Sequence, residues 1–408
     1  MRGDEAIQSF RQTQGPEPEG LDRHARPCRS RDDREGYAMN SKPRVIHFVT
    51  GGGSGATKVA LDVACGHLKS GRYEPLLVMR RKKVSLPQTM QAQIDATGLR
   101  SAWVDDWPKW TTRRQLAALI AEFQPQIFAA HGFSEHIWGR QAAFAANVPV
   151  VLHIEQNCER YAPWRRWAAL PLGPRTTATV CVSQGVADHL RPLGLIGPRL
   201  EIVHNGADAT RYSVGAPPFS QRGQDIIMVA RFARQKDQQT LIQAAKLLAD
   251  TGWTGRLLLG GDGKPSHRRT CEKLVHNLGL GGRVDFLGRV ADAAPLYHRC
   301  RAAVLSTHYE GLPLVLIDYM AAGCAALGSE ASGVTDIIRP GVNGWMFPKG
   351  DEAALAETLR SVLAGGPEIE AIVARGQTDA PARFSVSRMI ERYESLFAEL
   401  LNSAKPSP

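Results

Sequence analysis

Four side chains in the second half of the chain have the types and spacing to hold an anionic ligand. Arg231 and Lys236 lie five positions apart across a strand-to-helix turn, so both can point into one anion site. Glu310 and Asp318 flank the start of a second such helix. An apolar run at 302–306 reads as a buried strand, Pro313 suits the first helical position and Gly323 suits the helix end. The loop Glu310-Gly311-Leu312-Pro313-Leu314 therefore leaves backbone N–H groups without helical carbonyls, and such an N-terminus attracts anions. Asp318 is a carboxylate in an otherwise apolar helix, a costly placement unless donors or a ligand reach it. One carboxylate before the helix and one about two turns into it can line the same cleft.

Weaker candidates sit at the ends of other apolar runs, where ligands bind in open parallel sheets. His131 ends the run 126–130, His153 ends 148–152 with Glu155 just beyond, and Gly261 and Gly263 end 256–259, where they allow backbone to approach a nucleotide closely. Near the start, a strand at 44–50 leads into Gly51, Gly52, Gly53, Ser54, Gly55 and Ala56 and then a helix to about residue 70. The loop loosely fits G-x-G-x-x-A. A dinucleotide site, however, wants an acidic residue after the second strand. Here the run from Tyr73 to Met79 ends in Arg80, Arg81, Lys82 and Lys83, which disfavours a dehydrogenase.

Positioning these groups requires alternating strands and helices, the pattern of an α/β protein with parallel sheets. The 408 residues allow two or three domains. We expect a charged, disordered tail over 1–42 with Met39 as the translation start, a first domain at 43–207, a linker at 208–224, a second domain at 225–385 and a terminal helix within 386–408. No apolar run has the 18 or so residues of a spanning helix, and no charged-then-apolar leader opens the chain. Seven scattered cysteines without C-x-x-C spacing fit a reducing cytoplasm. The net charge of +10 suits anionic partners. Nucleic acid is disfavoured, since no recognised module or basic stripe is present. Two aromatic and basic stretches, Trp107 to Trp110 and Tyr161 to Trp167, fit peripheral association with an anionic membrane as well as ordinary packed helices.

Glu310 and Asp318, with E-G-x-P and the Met-Ala-x-Gly helix end around them, resemble the E-x7-E element of retaining glycosyltransferases of family 4. The resemblance extends over about 44–365 and implies a GT-B fold, two Rossmann-like domains facing a deep interdomain cleft. It implies transfer of a sugar from a nucleotide diphosphate sugar to a glycan or lipid-linked acceptor, with no cofactor and no obligatory metal. It assigns Glu310 and His131 to the reacting sugar. Arg231, Lys236 and the loop Gly311 to Leu314 go to the donor diphosphate, and Asp318 with Gly261 and Gly263 to the nucleotide and its ribose. Gly52, Gly53, Ser54 and Gly55 would face the cleft. Asp318 departs from the family by standing where it has Glu, one methylene shorter. A GT-B nucleotide-sugar epimerase or hydrolase and a non-catalytic nucleotide-sugar binding module are the alternatives. Cytoplasmic location, on the inner face of the plasma membrane, follows from the same reading.

Overall fold

The computed structural model describes residues 42–82, 86–133 and 135–404. The tail, Met39 and Lys83 lie outside the described residues. Two compact units are formed. One comprises residues to Val180, 193–201 and 390 onward; the other comprises 181–192 and 202–389.

The first sheet contains β1 (Arg44–Thr50), β2 (Glu74–Arg80), β3 (Ser101–Val104), β4 (Ile127–His131), β5 (Val150–Glu155), β6 (Ala178–Cys181) and β7 (Leu200–Ile202). Their order is β3-β2-β1-β4-β5-β6-β7. β4 and β5 are buried at every position, as central parallel strands covered on both faces must be. On one face Leu116, Leu119, Ile120 and Phe123 of the Lys109–Phe123 helix share a core with Phe48 and Phe128. On the other, Ala60, Leu61 and Ala64 of the Gly55–Ser70 helix pack on Val49 and Met79. The chain reverses its direction of travel between β1 and β4. Loops leaving these neighbours diverge to opposite faces and open a crevice. The glycine-rich loop follows β1, and His131 ends β4.

The second sheet contains β8 (Ile226–Val229), β9 (Leu257–Gly260), β10 (Val284–Gly288), β11 (Ala302–Leu305), β12 (Ala325–Ser329) and β13 (Trp345–Phe347), in the order β10-β9-β8-β11-β12-β13. Its reversal falls between β8 and β11. That topology brings the Arg231–Lys236 turn and the Glu310 loop to neighbouring strand ends.

Several boundaries differ from the sequence reading. β5 runs on to Glu155, so His153 and Glu155 are strand residues with buried side chains. The segment 208–224 is no free linker: it holds a short helix, Thr210–Ser213, and buries Tyr212 and Phe219. Arg222, 4% exposed, donates to the carbonyl oxygens of Pro217, Tyr297, Cys300 and Ala322. A single arginine satisfying that many carbonyls fixes the segment to the second unit.

The last helix spans Val386–Ala404, and its residues from Ile390 on group with the first unit. Met389, Tyr393, Leu396, Phe397 and Leu400 are buried at helical spacing. Phe397 meets Tyr73 edge-on at 5.7 Å and His67 at 5.3 Å. Phe397→Ala should destabilise the protein by about 3–5 kcal/mol, the range for emptying a buried aromatic site; denaturant unfolding measures it.

Candidate functional site

In the second unit the loops after β8 and β11 are joined through backbone and side chains. The Gln235 carbonyl accepts from the His308 N–H at 2.9 Å and lies 3.0 Å from Thr307 Oγ1, while Gln235 Nε2 donates to the Tyr309 carbonyl. Above this junction Lys236 Nζ donates to Glu310 Oε1 at 2.5 Å, and Thr307 Oγ1 donates to the same oxygen at 2.7 Å. The side chains of Lys236 and Glu310 are only 14% and 9% exposed. A charge pair that poorly solvated holds its geometry, because separating it would strand a charge. Arg231 is exposed, and among the described residues its guanidinium makes no hydrogen bond or ion pair. Its carbonyl accepts from Gln238 Nε2.

The helix after this loop spans Leu314–Ala321, one residue later than expected; Pro313 precedes it as the cap and Gly323 follows with φ +71°. Gly311, Leu312 and Leu314 therefore bring their N–H groups to the end carrying the helix's partial positive charge. Ser332 and Gly333, which the sequence reading passed over, hold the other side of the loop. The Ser332 carbonyl accepts from the Glu310 N–H, and a Cβ on Gly333 would come within 2.3 Å of the Gly311 carbonyl oxygen. Only glycine, at φ +77°, permits that approach. A glycine after serine just beyond a buried strand was the available signal.

Asp318 lies on the same helix, half-buried, and among the described residues no hydrogen bond reaches its carboxylate. Burial pushes it up to about 7; Arg211 opposes the shift and Asp208 adds to it. Arg211 and Asp208 come from the segment read as a linker, so the surroundings of Asp318 could not be foreseen from the helix alone. A carboxylate held part-desolvated and unpaired is a ready acceptor for two hydroxyl donors.

Gly261 and Gly263 have a demonstrable backbone reason to be glycine. A Cβ on Gly261, at φ +133°, would lie 2.2 Å from the Ala230 carbonyl oxygen, and one on Gly263 would lie 2.4 Å from that of Phe232. The close approach is to the strand extension that carries Arg231. Gly261→Ala should therefore cost about 3 kcal/mol of stability, measured by denaturant unfolding, and should shift the Arg231 turn.

The remaining candidates belong to the first unit. Ser54 caps the Gly55–Ser70 helix by accepting from the Thr57 N–H at 3.2 Å. Gly52 and Gly55 face open space, whereas a Cβ on Gly53 would meet the Pro87 ring. The turn after His131 reaches this loop, since a Cβ on Gly132 would lie 3.8 Å from that of Ala56. His131 itself has no exposed surface. Its Nε2 lies 3.0 Å from His47 Nδ1, and His47 Nε2 lies 3.3 Å from His67 Nδ1. Burial pulls His131 and His67 down to about 3 and His47 well below its usual value, so all three rings are neutral.

His153 and Glu155 join a separate buried cluster with His136, Arg140 and Tyr161. The His136, His153 and Glu155 donor atoms lie within 4.8 Å of one another, the spacing of a metal site. The hydrogen bonds argue otherwise. Arg140 donates to His136 Nδ1 at 2.7 Å, which leaves the ring proton on Nε2 facing Tyr161 Oη at 2.9 Å, and Tyr161 donates to Glu155. Neither nitrogen of His136 then offers a metal a lone pair, and a buried guanidinium stands beside the site. Arg80 is likewise internal, paired with Glu135 and Asp106.

Comparison with known proteins bears on both units. The family of glycosyl transferases group 1 matches residues 216–379, and Glycosyltransferase Family 4 matches 53–211. The putative glycosyltransferase EpsD of Bacillus subtilis is 27% identical over 68% of this chain and 70% of its own length. The lipopolysaccharide core biosynthesis glycosyltransferase LpsE of Rhizobium meliloti is 26% identical over 55% of this chain and 64% of its own. Among solved structures, Anabaena Alr3699/HepE in complex with UDP superposes with a TM-score of 0.77 at 17% identity, covering 88% of this chain and 100% of that one. The lipopolysaccharide outer core galactosyltransferase WaaB gives 0.67, at 17% identity over 88% and 100%. These two share the GT-B architecture of two Rossmann-like domains with the present chain.

Proposed function

The chain belongs to the group 1, family 4 glycosyltransferases, and on that premise we propose that it moves a sugar from a nucleotide diphosphate sugar to an acceptor hydroxyl with retention of anomeric configuration. The observation that carries this reading is the Lys236–Glu310–Thr307 corner beside a helix N-terminus. As the anomeric C–O bond breaks, the terminal phosphate of the departing nucleotide diphosphate takes the electron pair and becomes dianionic. Arg231, Lys236 and the amide N–H groups of Gly311, Leu312 and Leu314 would meet that charge as it develops. Glu310, fixed by two donors, would face the sugar, and Asp318 would accept from the ribose hydroxyls. The anomeric C–O bond to phosphate breaks as the acceptor oxygen bonds on the same face, and the acceptor proton passes to the departing phosphate oxygen. No step calls for a metal, and chelator should leave turnover unchanged.

The acceptor is a glycan or lipid-linked glycan in surface polysaccharide synthesis. Support comes from EpsD, LpsE and the UDP bound in HepE, together with a Campylobacter jejuni enzyme acting on an undecaprenol-linked glycan, 29% identical over 44% of this chain. Enzyme using such an acceptor would work at the inner face of the plasma membrane. No described helix is long and apolar enough to cross a membrane.

A thermal-shift panel of nucleotide diphosphate sugars should find one that stabilises the protein. Incubation of that donor with acceptor should then give a product of retained configuration by NMR. An inverted product, or no stabilising donor, would end the reading. Isotope exchange at the donor sugar without acceptor would instead identify an epimerase or hydrolase.

A further inference from the structure

Four tryptophans of the first unit project into solvent, and the topology gathers them. Trp107 (78% exposed) and Trp110 (66%) lie at the start of the Lys109–Phe123 helix, which follows β3. Trp164 (56%) and Trp167 (79%) lie on the Pro163–Ala169 helix, which follows β5. Each helix begins where a parallel strand has ended, so both starts occupy the carboxyl edge of the sheet. Both also belong to one face. The Lys109–Phe123 helix packs on the Glu135–Ala145 helix, and that helix touches the Leu170–Leu172 turn continuing the Pro163–Ala169 segment.

The basic residues are placed to match. Trp110, Arg113, Arg114 and Ala117 recur at i, i+3, i+4 and i+7, one side of the helix. Trp164 and Trp167 recur three apart, Arg166 is exposed between them, and the Arg165 guanidinium lies 5.1 Å over the Trp164 ring. Nearby carboxylates are neutralised from within. Asp106 pairs with Arg80 and Lys109, and Asp105 lies 3.7 Å from Arg81. The bases are also rigid: Arg80 ties Asp106 to the sheet, and Tyr161 is fixed by His136 and Glu155. The rings are thus held outward on fixed supports, with arginines beside them and no unpaired acid among the groups just named.

We propose that this edge is the docking surface for an anionic bilayer, with the four indoles at headgroup depth and Arg113, Arg114 and Arg166 on lipid phosphates. Flat aromatic and cationic groups on two separate projections suit a planar charged sheet. The proposal rests on the reading of a membrane-presented acceptor and names the side chains that would bring the enzyme to it.

Full-length protein should cosediment with mixed phosphatidylcholine and phosphatidylglycerol vesicles, less with phosphatidylcholine alone, and less again at high salt. Trp107→Ser/Trp110→Ser/Trp164→Ser/Trp167→Ser should lower binding by about tenfold or more. Arg113→Gln/Arg114→Gln should flatten the salt dependence; circular dichroism checks folding. Native protein remaining in the supernatant, or a quadruple variant that sediments as well as native, would overturn the proposal. So would a native dimer that the same variant converts to monomer, which would make the face a contact between copies. Thermal shift with nucleotide diphosphate on the same samples separates the two readings: donor binding without vesicle binding removes only this surface, and the reverse removes the glycosyltransferase reading.

Discussion

Glu310→Gln should reduce turnover by about 10²–10³-fold, the loss typical for one preorganised electrostatic contact, while nucleotide diphosphate affinity stays nearly unchanged. The amide keeps the shape of the carboxylate and can still accept from Thr307 Oγ1, which now donates to Glu310 Oε1. Lys236→Met should behave differently. It removes a cation from the diphosphate site and leaves the Glu310 carboxylate, 9% exposed, without its ion partner. Breaking a buried pair from one side typically costs about 3–5 kcal/mol, so stability and donor affinity should fall together. The double variant decides the matter. Lys236→Met/Glu310→Gln should recover most of the lost stability, since no charge is stranded, yet remain inactive. Thermal unfolding, calorimetric titration of nucleotide diphosphate and a turnover assay on one set of samples test this. Equal destabilisation in both single variants with donor binding intact would make the pair architectural.

Donor affinity should rise about tenfold between pH 6 and pH 8 through Asp318. Burial holds its carboxyl at about 7, so protonation dominates at the lower pH and ionisation at the higher. If ribose hydroxyls donate to the ionised form, binding is strongest above that value and releases a proton below it. Asp318→Asn should flatten the profile and abolish proton release in titrations run in buffers of different ionisation enthalpy. The stability sign is opposite. The folded pKa lies above the ordinary carboxylate value of 3.8, so the native state binds the proton more tightly than the unfolded chain does. Asp318 therefore costs stability progressively as pH rises from about 4 to 7, and Asp318→Asn should be the more stable protein at pH 8. A profile that rises equally in the variant would show that another group governs affinity.

The strands, the glycine-rich opening and the helix after Glu310 were legible because continuous apolar runs and capping residues act locally. The pairing of Lys236 with Glu310 was legible only as two separate anion-site signals. What joined them is strand order: β8 and β11 are neighbours although β9 and β10 intervene in the chain, and no local pattern encodes that. The same distance in sequence hid Ser332 and Gly333. The segment 208–224 was misread because glycine, proline and serine look like a linker while Tyr212, Phe219 and Arg222 pack inward. His131 was read as reaching a ligand from its strand end, and its partner His47 comes from the neighbouring strand.

The three-imidazole file His131–His47–His67 has one further consequence. A neutral imidazole carries a single N–H, so two links in series must both run the same way. Either the hydrogens point from His131 toward His67, leaving His131 Nδ1 bare, or they point back and place a hydrogen on it. The far ring thus dictates which tautomer the near ring adopts, and His67→Phe would free His131 to choose; nitrogen-15 shifts of the two remaining imidazoles would register the change.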